Sequence, residues 1–240
     1  LWPERKLWLW IMAVAVSATT INYAAMFLSP GRTGAGIASI LGNIQPLFIV
    51  IMATIFLGER LSKINSVSLG LSLIGVVLIS SPAFLESSVY GIAGPLLALI
   101  ASASAAIGSI LMKYLNQPAV VLQVTAWQFI LGSLPLFFLS KIIELPNYNL
   151  MLEVKFIGIL LLLALFGTAF GAVAWYSIIQ RYEVGRLSLS FFLVPIFGLG
   201  IALMFGERLS GIEMLGAGMI VIAIFVSLKN SLKPSLDRRH

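Results

Sequence analysis

Apolar stretches separated by short polar breaks make up most of the chain. Each stretch is about 20 residues long and nearly free of charge, which is the length that crosses a bilayer core as an α-helix. None shows the alternation that a transmembrane β-barrel would require. The pattern therefore predicts an all-α polytopic membrane bundle of eight transmembrane helices, spanning about 7–29, 34–57, 64–80, 91–113, 120–140, 155–180, 186–205 and 212–228.

The breaks between these helices contain residues that favour turns. They include Ser29-Pro30-Gly31, Ser81-Pro82, Asn116-Gln117-Pro118 and Pro146-Asn147. Connections this short make consecutive helices antiparallel neighbours.

The composition supports a membrane protein and excludes several kinds of chemistry. Hydrophobic residues make up 60% of the chain and charged residues 10%, unlike a soluble domain. Because the chain has no cysteine and only one histidine, His240, disulfides and Cys- or His-based metal and catalytic sites are excluded. We therefore expect a protein that is not an enzyme and that has no cofactor and no metal site.

One stretch of the sequence occurs twice. Gly36, Ser39 and Pro46 recur as Gly185, Ser188 and Pro195, at a constant offset of 149 positions. The pentapeptide Gly-Glu-Arg-Leu-Ser at 58–62 recurs at 206–210, at an offset of 148. Matches in register around an identical pentapeptide indicate an internal duplication.

Lys and Arg residues are distributed unevenly between the two sides of the predicted bundle. Because cytoplasmic loops carry an excess of these residues, this bias predicts that both termini are cytoplasmic, in a multi-pass protein of the cell membrane. It also accounts for most of the net charge of +6, so no nucleic-acid partner is needed. Eleven lie on the side of the N-terminus: Arg5, Lys6, Arg60, Lys63, Lys113, Arg181, Arg186, Lys229, Lys233, Arg238 and Arg239. The other four are Arg32, Lys141, Lys155 and Arg208.

The duplication and the helix count together predict an inverted repeat. The two copies fall in the second and seventh helices, so five crossings separate them and they run in opposite directions. Inverted-topology repeats are typical of secondary transporters, whose substrate site lies near the midplane where the repeats meet.

The same residues resemble a known family. Both copies show the same order of elements: a proline within a helix, then Gly-Glu-Arg-Leu-Ser, then a Gly-rich apolar helix. This order is similar to that of the EamA-type drug/metabolite transporter superfamily. The resemblance implies ten helices in two halves of five, so this chain would lack the first two. It also implies export or exchange of small metabolites by alternating access, through a central cavity lined by helices one, three, four, six, eight and nine.

With that resemblance, the chain divides into a truncated first EamA-like half (1–82), a second half (83–230) and a basic cytoplasmic tail (231–240). We expect a secondary transporter, an exporter of a small metabolite or drug-like solute. The alternative is a non-transporting membrane scaffold or an inactive truncated product. The expected partners are a small-molecule metabolite and the lipid bilayer, with a homodimer left open.

The repeated pentapeptide is interpreted as a turn. Gly58 and Gly206 suit the left-handed position that ends a helix. Ser62 and Ser210 suit the N-cap of the next helix, and Glu213 completes a capping box with Ser210.

Polar and aromatic residues within the spans are the candidates for the substrate pathway. In the second helix, Ser39, Asn43 and Pro46 share a face, whereas Gln45 points away. For each polar residue the alternative is an ordinary interhelical hydrogen bond, and for Trp175 and Tyr176 it is anchoring at the lipid interface. Pro46 and Pro195 are hinge candidates, with a static kink as the alternative. The pathway candidates are Asn22, Tyr23, Ser39, Asn43, Gln128, Thr168, Trp175, Tyr176 and Phe192.

Overall fold

The chain is helical in the residues that its computed structural model describes, which are 2–33, 35–86, 92–143, 153–204 and 210–231. No strand occurs within these ranges, which confirms the all-α prediction. In chain order the elements are α1 (Leu7–Val14), a first π-helical segment (Ala15–Ile21), α2 (Asn22–Leu28), α3 (Pro30–Thr33), α4 (Ala35–Gly42), α5 (Gln45–Leu57), α6 (Lys63–Glu86), α7 (Ala93–Leu115), a 3-10 turn (Pro118–Val120), α8 (Val121–Ile143), α9 (Val154–Leu162), a second π-helical segment (Leu163–Phe170), α10 (Gly171–Ile179), α11 (Val184–Leu187), a 3-10 segment (Ser188–Phe192), α12 (Leu193–Met204) and α13 (Gly211–Ser231).

Most of these helices are apolar and long. Within the described residues, six are long and apolar enough to cross a membrane, and two further apolar helices are shorter. All eight predicted spans therefore correspond to apolar helices. The six are Leu7–Arg32, Ile40–Leu57, Lys63–Ser81, Ala93–Leu115, Pro118–Ile143 and Val154–Ile179, and the two shorter ones are Val184–Gly198 and Gly211–Ser227.

The first Gly-Glu-Arg-Leu-Ser segment forms the predicted turn. Gly58 has a left-handed φ of 68°, and the Glu59 N–H donates to the Ala53 carbonyl at 3.2 Å, which closes the end of α5. The Ser62 hydroxyl then accepts the Asn65 N–H at 3.2 Å, as an N-cap should. The prediction for the first copy is confirmed.

The second copy is described only from Ser210 onward. The Ser210 hydroxyl accepts the Glu213 N–H at 3.3 Å, while the Glu213 carboxylate accepts the Ser210 N–H at 2.7 Å. This reciprocal pair confirms the predicted capping box. Gly206 lies outside the described residues.

Two predicted helix boundaries are wrong. The second predicted helix is not continuous, because Asn43 and Ile44 form a turn between α4 and α5. Conversely, α6 continues past Ser81-Pro82 to Glu86. A proline removes one intrahelical hydrogen bond and crowds the preceding turn, yet α6 continues for one further turn beyond Pro82.

The chain folds into two compact units. Unit 1 comprises Leu1–Ala24 and Ser104–Glu183, and unit 2 comprises Ala25–Ala103 and Val184–His240. Each unit takes segments from both predicted halves, 1–82 and 83–230. The division into these two halves stays a prediction.

Helices in unit 1 pack closely at glycines. A Cβ on Gly132 of α8 would lie 2.5 Å from the Thr19 Cβ and 2.8 Å from the Ala15 carbonyl oxygen. The Thr20 hydroxyl donates to the Gly132 carbonyl at 2.9 Å. Because lipid supplies no hydrophobic force between helices, such close approach and hydrogen bonding hold the helices together.

In unit 2, α6 and α13 form a tight antiparallel pair, which we call the α6–α13 pair. A Cβ on Gly75 would lie 2.6 Å from the Ile220 Cγ1 and 2.7 Å from the Gly216 carbonyl oxygen. Towards the other end of the pair, the Ser227 hydroxyl donates to the Asn65 side-chain oxygen at 3.1 Å. The two backbones therefore touch with no room for a side chain between them.

Candidate functional site

Four polar side chains of unit 1 interact within the membrane-spanning helices. A hydrogen bond joins the Tyr23 hydroxyl to the Thr168 side chain, and another joins the Tyr176 hydroxyl to Gln128. The two tyrosines also lie near each other. We call these four residues the tyrosine cluster. All four are sequence-predicted pathway residues.

Both regular and irregular helical segments position the tyrosine cluster. Tyr23 directly follows the first π-helical segment, and Thr168 lies in the second. Gln128 lies on the buried face of α8, which also carries Thr125 and Gly132. Short π-helical insertions inside α-helices occur frequently at functional sites. Two of them adjoin this one cluster.

The cluster contains a buried acceptor without a partner. The Gln128 side chain is only 1% exposed, and its Oε1 accepts no hydrogen bond from the described residues. The same holds for the hydroxyl of Thr19, which is 2% exposed and lies in the first π-helical segment. A buried polar atom left unpaired costs about 1–3 kcal/mol, so each such group needs an explanation.

The chemistry of the cluster is that of neutral hydrogen bonding. Its members offer hydroxyl and amide groups, which can donate to or accept from a solute but carry no charge. Among the described residues, no group of three or more His, Cys, Asp or Glu side chains could hold a metal ion. The arrangement is therefore suited to binding a solute through neutral hydrogen bonds.

Two other predicted residues of unit 1 lie near the cluster in sequence. Asn22 is half-buried at the start of α2. The Trp175 indole N–H donates to the Ser109 hydroxyl at 3.0 Å. Since Trp175 is bound to α7 in this way, its contact with a solute stays a prediction.

The predicted residues of unit 2 are more scattered. Asn43 is half-buried in the turn between α4 and α5. Phe192 is fully buried in an apolar cluster with Val50, Leu189 and Ile220. The side chain of Ser39 lies outside the described residues. A role for these three predicted residues in the pathway stays a prediction.

Both hinge candidates lie next to irregular backbone. Pro46 was predicted in mid-helix but stands in the first turn of α5, just after the Asn43–Ile44 turn. Its missing N–H costs nothing there, because the first helical N–H groups have no partner anyway. Pro195 lies in the first turn of α12, after the 3-10 segment Ser188–Phe192.

A contact that sequence reasoning missed involves Glu59 of the repeated pentapeptide. Its carboxylate accepts the N–H of Val184 at 2.9 Å and that of Gly185 at 2.8 Å. Both N–H groups stand at the start of α11, within unit 2. The recurrence of Glu after Gly in both copies of the pentapeptide was the signal in the sequence that could have indicated a role beyond the turn.

Comparison with known proteins gives the family. A profile of the EamA-like transporter family matches residues 2–81 and 92–229. An uncharacterized transporter of Archaeoglobus fulgidus is 28% identical over 221 residues, covering 91% of this chain and 77% of that protein. A probable amino-acid metabolite efflux pump of Escherichia coli is 28% identical over 207 residues, covering 81% of this chain and 67% of that protein.

A solved crystal structure agrees at the level of fold. It matches with a TM-score of 0.78 at 16% sequence identity, and the match covers 95% of this chain and 79% of that one. At this identity the likeness shows a shared polytopic helical fold and nothing finer. The profile match covers most of the chain, and this multi-pass membrane protein belongs to the EamA-like transporter family, which is a family of transporters and not of enzymes.

Proposed function

We propose that the chain is a secondary transporter that exports a small neutral or zwitterionic metabolite by alternating access. The tyrosine cluster carries this proposal. It gathers neutral donors and acceptors inside apolar helices, and it leaves the buried Gln128 acceptor without a partner among the described residues. A solute N–H or O–H group that binds there would satisfy this atom.

Amino-acid metabolites are the first substrates to test. One relative is named a probable amino-acid metabolite efflux pump, and zwitterionic or amide-bearing metabolites carry the N–H donors that Gln128 would accept. All nine Asp and Glu residues of the sequence fall in predicted loops or at predicted helix ends. Because these carboxylates lie outside the predicted helix interiors, we expect a solute whose binding does not require a buried charge on this chain.

We further propose that the two repeats are inverted and that both termini are cytoplasmic. The parity of the helices and the Lys and Arg bias support this topology. Because the chain has no cysteine, single cysteines at Ser62 and Ser210 can be labelled from outside the cell. Labelling at Ser210 alone is expected; labelling at both or at neither contradicts the inverted repeat. A homodimer stays a prediction.

The test of the function is transport by purified protein. Proteoliposomes are loaded with a panel of amino-acid metabolites of net charge zero, plus one and minus one, and release is compared with empty vesicles. We expect release of at least one neutral or zwitterionic solute. Folded protein that releases none would favour the alternative, a scaffold or inactive truncated product, while selective release of an anionic solute would contradict the proposed substrate class.

A further inference from the structure

Glu59 forms a two-point contact with another helix. Its Oε1 accepts from the Val184 N–H at 2.9 Å and its Oε2 from the Gly185 N–H at 2.8 Å. Hydrogen bonds with an ionised partner are about twice as strong as neutral ones. They gain further from the positive end of the helix dipole. The carboxylate therefore fastens the end of α5 to the start of α11.

The contact holds the start of a long helical run. α11, the 3-10 segment Ser188–Phe192 and α12 follow one another without a break, from Val184 to Met204. The bonds to Glu59 therefore hold one end of this helical run, which also contains Pro195. Gly58, whose φ is 68°, ends α5 directly before Glu59.

The two helices are also close where the carboxylate binds. A Cβ on Gly185 would lie 3.7 Å from the Ala53 Cβ and 3.4 Å from the Glu59 Oε2. Ala53 is 1% exposed. The start of α11 therefore lies within van der Waals distance of Ala53 in α5.

This contact differs in kind from the α6–α13 pair of the same unit. There, a Cβ on Gly75 would meet Ile220 and the Gly216 carbonyl oxygen within 2.7 Å, so the helices are held by dense packing over the crossing. At α5–α11 the Cβ distances are ordinary, and the half-buried Glu59 carboxylate supplies the specific bonds. The first N–H groups of a helix have no intrahelical partner, so water can take the place of the carboxylate once the two helices separate.

We propose that Glu59 is a latch that closes the α5–α11 end of unit 2 and is released in each transport cycle. This inference rests on the proposed function, because alternating access requires one end of a helix pair to separate. The latch makes the opening step depend on breaking two identified hydrogen bonds. It assigns to the first copy of the pentapeptide a gating role in addition to its role as a turn.

The first test measures opening without any substrate. A single cysteine introduced by Ala53→Cys is labelled with a trimethylammonium-bearing methanethiosulfonate in the full chain, with Glu59 intact or changed to Ala or Gln. We expect Glu59→Ala to raise the labelling rate about ten-fold or more, the effect of losing a charged hydrogen bond. Glu59→Gln should give a smaller rise, because it keeps one acceptor.

The matched control is Glu213→Ala, which removes a carboxylate that caps its own helix at Ser210 and, among the described residues, bonds to no second helix. It should leave the labelling rate of the Ala53→Cys protein unchanged. Thermal unfolding shows whether a variant is labelled because it is unfolded. If Glu59→Ala is unfolded, the labelling rate of the folded Glu59→Gln variant tests the latch. Equal labelling with and without the Glu59 carboxylate in folded protein would overturn the latch, whether or not transport is found.

The second test locks the contact in the transporting protein. The 3.7 Å Cβ separation at Ala53 and Gly185 suits a disulfide, so Ala53→Cys with Gly185→Cys should cross-link on oxidation. Cross-linked protein should lose transport and regain it on reduction. Full transport by the cross-linked protein would show that this end need not open. Absence of transport in the reduced parent would instead count against the proposed function.

Discussion

The tyrosine cluster of unit 1 and the α6–α13 pair of unit 2 are both built by helices in close contact, yet they differ in what fills the contact. The α6–α13 pair places glycine against glycine and isoleucine, in regular helices. The tyrosine cluster places hydroxyl and amide groups next to two π-helical segments, and one buried acceptor has no partner among the described residues.

The difference separates a rigid contact from a binding region. Close glycine contacts stabilise the bundle, and α6 also carries two buried serine hydroxyls, Ser68 and Ser72, that have no partner among the described residues. What distinguishes the tyrosine cluster is therefore that its unpaired acceptor lies among other polar groups and next to two π-helical segments. An unpaired buried acceptor reduces stability by about 1–3 kcal/mol. A solute that donates a hydrogen bond to the Gln128 Oε1 would restore this stability. Substitutions in the two regions should therefore have opposite consequences for stability and transport.

The largest expected effect is on the α6–α13 pair. Gly75→Leu would insert a side chain where even a Cβ lies 2.6 Å from Ile220, so it should destabilise the protein by ~3 kcal/mol or more. Gly70→Leu on the same helix is the matched control, since a Cβ there meets nothing within 4 Å. Thermal unfolding in detergent measures both. Similar unfolding temperatures for the two variants would show that the close approach at Gly75 is not needed.

A smaller effect is expected at the turn before α5. Pro46→Ala restores an N–H and lets α4 and α5 join through Asn43 and Ile44, which adds about 0.5–1.5 kcal/mol per new hydrogen bond. If the turn must change shape during transport, the rate should fall about two- to ten-fold, with stability unchanged or higher. Pro135→Ala, within α8, is the comparison. An unchanged transport rate in Pro46→Ala would mean that this turn is static.

The smallest effect is expected at the end of the α6–α13 pair. Ser227→Ala removes the hydrogen bond to Asn65, and such bonds in membrane bundles contribute about 0.6 kcal/mol on average and up to ~1.7 kcal/mol. We expect a small loss of thermal stability and normal transport. A large loss of transport with stability intact would move the solute pathway to this pair.

Much of the helical fold was predictable from the sequence because a bilayer allows few alternatives. Every backbone group in lipid needs an internal partner, so long apolar runs become helices. Turn chemistry is local as well, which explains why Gly58, Ser62 and the Ser210–Glu213 box were predicted correctly. Pro82 was misjudged because a proline near a helix end leaves the outcome to its surroundings.

The contacts of the candidate site were less predictable. The π-helical segments leave no mark in composition, and each changes which residues face a neighbouring helix. Tyr23, Gln128, Thr168 and Tyr176 were all candidates, but their pairing depends on how separate helices are rotated. The Glu59 contact joins residues that are 125 and 126 positions apart, and no local pattern specifies such a partner.

The most direct test of the central claim compares Gln128→Leu with Ser227→Ala in the transport assay. Leu has nearly the size of Gln but no polar group, so a solute that donates to Gln128 should bind about five- to over a hundred-fold more weakly, the equivalent of about 1–3 kcal/mol. We predict weaker transport in Gln128→Leu and normal transport in Ser227→Ala. Thermal stability of Gln128→Leu should change little, because removal of the unpaired acceptor offsets the loss of the bond to Tyr176. Undiminished solute affinity in Gln128→Leu would contradict the assignment of the tyrosine cluster as the binding region.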